Sequence, residues 1–73
     1  MIYQIKLPSK VRAQPRVECA SISTLQPQSL VDVVGGVQDS LYLWLQLHDN
    51  AWLIGQTLDR EVVFAEPHEM WQD

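Results

Sequence analysis

The chain has 73 residues, 47% of them apolar and 19% charged, with a formal net charge of −4. That composition belongs to a single folded domain, 1–73, and excludes a disordered segment. Nine acidic against five basic residues argues against a nucleic-acid partner.

A chain of 8.4 kDa buries only about 60% of its unfolded surface. A deep catalytic cleft would consume much of so thin a core, so size leans toward a binding module or a subunit. Lys6, Lys10, Arg12 and Arg16 crowd into the first sixteen residues, and the rest of the chain is strongly acidic. Such asymmetry can orient an approaching partner. Cys19 is the single cysteine, so no internal disulfide forms, whereas small secreted domains are usually stapled. The first ten residues lack a basic start followed by a long apolar run, and no stretch reaches the length of a membrane span. These features predict a soluble cytoplasmic protein that begins at Met1 and has no membrane partner.

In chain order, "MIYQIKL" alternates, with Tyr3, Ile5 and Leu7 on one side, and predicts a first strand closed by Pro8. Residues 10–23 read as an extended, irregular segment with short strand pieces, interrupted by Pro15. Residues 29–34 have two readings. Leu30, Val33 and Val34 sit at helical spacing, but the β-branched valines favour a strand, which is the preferred one. A helix there would instead give a ubiquitin-like fold. Gly35-Gly36 then reads as a turn.

Residues 40–48 form the clearest strand, with Leu41, Leu43, Leu45 and Leu47 on one face and Tyr42, Trp44, Gln46 and His48 on the other. Asp49-Asn50 predicts a two-residue hairpin turn, which pairs Leu47 with Trp52, Leu45 with Ile54 and Trp44 with Gly55. "DREVVFAE" predicts a last strand. "EPHEMWQ" predicts one helical turn, with Pro67 at its first position. The element pattern is all-β, a small five-stranded barrel or a strongly bent sheet, with an added N-terminal strand.

The order "VRAQP" at 11–15, "STL" at 23–25, "VDVVGG" at 31–36, "LWLQL" at 43–47 and "AWLIG" at 51–55 resembles the bacterial Src-homology-3-like domain over residues 11–60. The resemblance implies a small SH3-like barrel and a non-catalytic binding role. Ser29 and Ala51 stand where that family usually has Gly, and Arg16-Val17-Glu18 replaces its Ser-rich segment. The acidic aromatic motif that helps eukaryotic relatives hold proline-rich peptides is absent.

Tyr42 and Trp44 are the leading candidates for a protein-binding platform, since exposed aromatics anchor interfaces and the resembled fold often places this Trp there. The competing reading makes Trp44 ordinary core beneath residues 12–25. Trp71, in an acidic terminus, docks either on its own barrel or on a partner. Trp52, on the leucine face, reads as core. His48 and Asp49 are adjacent and point opposite ways, and with His68 they lack metal-ligand spacing. Cys19 has no supporting motif for a nucleophile and reads as a small buried residue. No cofactor, metal or catalytic residue is assigned. The two functional readings are an adaptor or regulatory module that binds a protein partner, and a structural subunit that forms a homodimer or joins a larger assembly.

Overall fold

The computed structural model describes residues 1–68. Its elements are β1 (Ile2–Ile5), β2 (Ser9–Arg12), β3 (Ser21–Leu25), β4 (Leu30–Gln38), β5 (Tyr42–Leu47), a 3-10 turn (His48–Asn50), β6 (Ala51–Thr57) and β7 (Ala65–Pro67). The strands form one antiparallel sheet in the order β3-β2-β6-β5-β4-β1-β7. The all-β class is as expected. The sheet is not closed, and β3 and β7 are its two edges. It does bend back on itself. Val63 bridges to Gln56, and the Phe64 amide donates to the Gly55 carbonyl at 2.9 Å, so the segment ahead of β7 returns to β6. Where a C-terminal helical turn was expected, Glu66 and Pro67 lie in β7 and the His68 amide donates to the Ile2 carbonyl at 2.8 Å; residues 69–72 of that segment, including Trp71, fall outside the described residues.

The valine segment is a strand. Val31 pairs with Tyr3 of β1, and Val33 pairs with Leu47 of β5. Branched side chains pack well on a pleated surface, and here both neighbours supply apolar partners. Gly35-Gly36 is not a turn, because β4 continues through both glycines to Gln38. Gly36 pairs with Leu45, and a Cβ on it would stand 2.9 Å from the Trp44 carbonyl oxygen. Its missing side chain therefore lets two backbones approach. The register shifts by one at Val34, a bulge that increases local twist. The chain reverses later, at Asp39, whose Oδ1 accepts from the amides of Leu41 at 2.8 Å and Tyr42 at 2.7 Å. An Asp side chain that mimics a backbone turn in this way is a common turn former.

The β5–β6 hairpin exists as read, but its register near the turn differs. The loop has three residues, His48–Asn50, with Asn50 in the left-handed region at φ 56. Leu47 therefore pairs with Ala51, Leu45 with Leu53 and Trp44 with Ile54. Farther from the turn, Tyr42 pairs with Thr57. The one-residue difference is absorbed between Leu43 and Trp44, where Gly55 is the extra residue. Gly55 is also where a Cβ would meet Leu45 Cγ at 2.8 Å. The shift moves Trp52 off the leucine face and sets it opposite Gln46, half-buried.

The main core lies under the bend and gathers Ile5, Val33, Leu45, Leu53 and Ala65, with Tyr3, Leu25, Val31 and Leu47 partly buried against it. Leu41, expected to point inward, is 63% exposed because it sits in the turn ahead of β5. Residues 10–23 resolve into the β2–β3 hairpin, which pairs Ser9 with Leu25 and Val11 with Ser23. Its register shifts at Ile22, leaving that side chain 66% exposed.

Candidate functional site

Residues directly opposite one another in an antiparallel ladder share a face. Trp44 accordingly lies in a row between Val37 of β4 and Ile54 of β6. Its indole is fully buried, with 0% of the residue exposed. The expectation that this ring looks out from the sheet is thus corrected. Two features hold it in. Tyr42 meets it edge-on, with ring centroids 6.1 Å apart and planes at 81°, a geometry that aromatic quadrupoles favour. The indole Nε1–H donates to Asp39 Oδ2 at 2.8 Å, which satisfies the one polar atom the burial would otherwise strand. Asp39 thus binds three donors. The Leu41 amide first, then the Trp44 indole and the Tyr42 amide, hold its carboxyl below the usual carboxylate range. Tyr42 remains half-buried beside the exposed Leu41 and Leu58.

A second polar arrangement was not anticipated. Asp32 Oδ2 lies 2.9 Å from His48 Nε2, and Asp32 Oδ1 accepts from the Met1 amino group at 3.0 Å. His48 sits in the β5–β6 turn and Asp32 on β4, sixteen residues apart, so only the pairing of β4 with β5 unites them. The His48 hydrogen bond is the main reason the Asp32 carboxyl is held below its usual range, followed by the Met1 amino group. Both side chains are exposed. The pair therefore lacks the water-excluding walls and the adjacent nucleophile that acid–base catalysis uses.

His48 faces Asp32. Among the described residues, no group of three or more His, Cys, Asp and Glu gathers as a metal site. Cys19 is half-buried in the loop between β2 and β3, and its Sγ lies 3.6 Å from the Ala20 carbonyl. Among the described residues, no helix is long and apolar enough to cross a membrane.

Three concavities stand out among the described residues, one of them, of about 310 Å³, beside the Asp39 turn and lined by Ser40, Leu41, Tyr42, Thr57, Leu58 and Asp59. A shallow groove of about 570 Å³ crosses β1, β4 and β5, lined by Met1, Tyr3, Val34, Val37, Leu43 and Leu45 among others, with no charged side chain in its lining. A smaller cleft of about 230 Å³ lies between β2 and β6, lined by Pro8, Ser9, Lys10, Arg12, Ile54 and Phe64. The alternation of β1 put Tyr3 on the side of Ile5, where it is half-buried; the groove had no signal of its own beyond the valines of β4, whose bulge could not be read from the sequence. No family model, no curated protein and no solved structure matches this chain.

Proposed function

We propose that the protein is a non-catalytic protein-binding module. The supporting observation is the groove across β1, β4 and β5, lined by no charged side chain, where Val34 and Val37 stay exposed at its rim. Large apolar surface left in water on a small domain marks an interaction site. Trp44 stabilises the sheet beneath and is not itself an anchor. The groove replaces the expected Tyr42–Trp44 platform, with Tyr3 as its aromatic member. We also propose kinship with the bacterial SH3-like domains. Its support is the bent antiparallel sheet, the adjacency of "LWLQL" and "AWLIG" as β5 and β6, and the return of Val63 to Gln56. A cytoplasmic setting agrees with the single free Cys19.

The test replaces Val34, 52% exposed and outside the Trp44 row, by Asp. Affinity purification with the wild-type chain and with Val34→Asp should recover a partner that only the wild type retains, at unchanged melting temperature. Equal recovery with both chains refutes the groove.

The second reading is a self-associating structural subunit. It is favoured by the β3 edge, whose Ser21–Leu25 has no charge and only β2 as a neighbour. Uncharged edges can pair with another strand. Sedimentation velocity over a concentration series separates the two readings: a dimer that persists in Val34→Asp supports the edge, and a monomer throughout rejects it.

A further inference from the structure

We propose that the cleft between β2 and β6 binds an acidic peptide that inserts one large apolar side chain. This cleft is separate from the groove on β1, β4 and β5, and a failure at one leaves the other standing. β2 and β6 share a single register pair, Arg12 with Trp52. Continued antiparallel pairing would set Lys10 opposite Ile54. The ladder stops instead, and the cleft opens at that point. Its far end is fixed by Phe64, whose amide donates to Gly55 and whose carbonyl accepts from Lys6 at 2.7 Å.

The walls divide by chemistry. Pro8, Ile54 and Phe64 are apolar. Lys10 and Arg12 are two residues apart on β2, so both side chains leave the same face. Arg12 Nε donates to the Cys19 carbonyl at 3.0 Å, which orients the guanidinium and leaves its terminal amines for another acceptor. Among the described residues the ion pairs all involve Asp32, and neither Lys10 nor Arg12 has a carboxylate partner. The segment 9–25 carries Lys10, Arg12 and Arg16 against Glu18 alone, on a chain of net charge −4. A concentrated positive rim beside an apolar floor complements a negatively charged partner. The Arg fork suits a bidentate carboxylate. The volume decides between a peptide and a small molecule. About 230 Å³ falls below the range of roughly 300–1,000 Å³ typical of sites for drug-sized ligands. It accommodates one side chain, with the flanking carboxylates lying along the rim.

The test titrates the isotope-labelled full chain with the peptide acetyl-Glu-Asp-Phe-Asp-Glu-amide and with its counterpart bearing Lys at the four acidic positions. The acidic peptide should shift the amide resonances of Lys10, Arg12, Ile54 and Phe64, and the basic one should not. Lys10 is exposed, so Lys10→Glu keeps the fold and should weaken the acidic peptide about tenfold, with Lys10→Gln intermediate. Added salt should weaken it further. The proposal is overturned by shifts mapping elsewhere, by equal binding of the basic peptide, or by indifference to Lys10→Glu. Acetate alone reproducing the affinity would reduce the site to a simple anion site. Displacement of the peptide by a single-stranded oligonucleotide would mark a nucleic-acid surface instead. Val34→Asp should leave this titration unchanged.

Discussion

Trp44→Ala tests the central feature of the sheet. The ring is fully enclosed between Val37 and Ile54, capped edge-on by Tyr42 and tied to Asp39. Truncating a buried Trp to Ala costs about 3–5 kcal/mol, from lost transfer free energy and the cavity left behind. A domain of 73 residues has a total stability of roughly 4–11 kcal/mol, so the variant loses a large fraction of it. With a urea slope near 1 kcal/mol/M, low in the usual range because the domain is small, the unfolding midpoint should fall by about 3 M or more. The equivalent thermal shift is at least about 12 °C. Far-UV circular dichroism is the suitable readout, since removing a tryptophan alters the fluorescence itself. Trp44→Phe keeps most of the ring but loses the Nε1–H, and should fall between the two. A midpoint change under about 1 M for Trp44→Ala, on a slope near 1 kcal/mol/M, would show that the ring is open to solvent and would refute the enclosed row.

Gly55→Ala places a methyl 2.8 Å from Leu45 Cγ and should destabilise by about 1–3 kcal/mol through overpacking; an unchanged melting temperature would mean that the bulge relaxes freely. Asp39 is held below the usual carboxylate range by its three donors, so its contribution to stability is present above about pH 4 and is lost as pH falls through the lower folded value. Asp39→Asn should therefore flatten the acid side of a urea-midpoint profile against pH, and an identical profile counts against the turn. His48→Ala removes the main cause of the low Asp32 value; carboxyl resonances should show the Asp32 midpoint rising toward the ordinary range, and no movement would mean the pair does not persist in solution.

The alternation of β1 and β5 was legible because side-chain direction repeats every second residue regardless of tertiary context. The strand character of residues 30–34 was legible from branched side chains, though only the flanking β1 and β5 exclude the helix. The register of the hairpin was not. Asp49-Asn50 and His48–Asn50 both make acceptable turns, and the choice depends on whether Gly55 bulges. That single residue moved Trp52 to the opposite face. Alternation also showed that β5 has two apolar faces without showing that both are closed. The signal for closing the second one was Asp39, five residues ahead of Trp44 and just before a strand that needs a turn to start it. The Asp32–His48 pair had no local signal, because strand pairing created it.

The second apolar face of the β5–β6 ribbon now has a physical role. A sheet with one wet face needs apolar residues on one side only. This ribbon is central in the strand order, and the bend closes its leucine side over Ile5, Val33, Leu53 and Ala65. A domain this small buries too little in a single core. Sealing Trp44 on the opposite face adds buried area without lengthening the chain, at the cost of one indole donor that Asp39 satisfies. Ile54 belongs to the same row as Trp44 but is only half-buried, because β2 departs from β6 just beside it. Extending the β2–β6 ladder by one pair would cover it and would gain stability. The chain instead leaves Ile54 at the base of a cleft with Lys10 and Arg12 above it. Local stability forgone next to unpaired charge is where a binding site is expected on a ribbon otherwise packed on both faces.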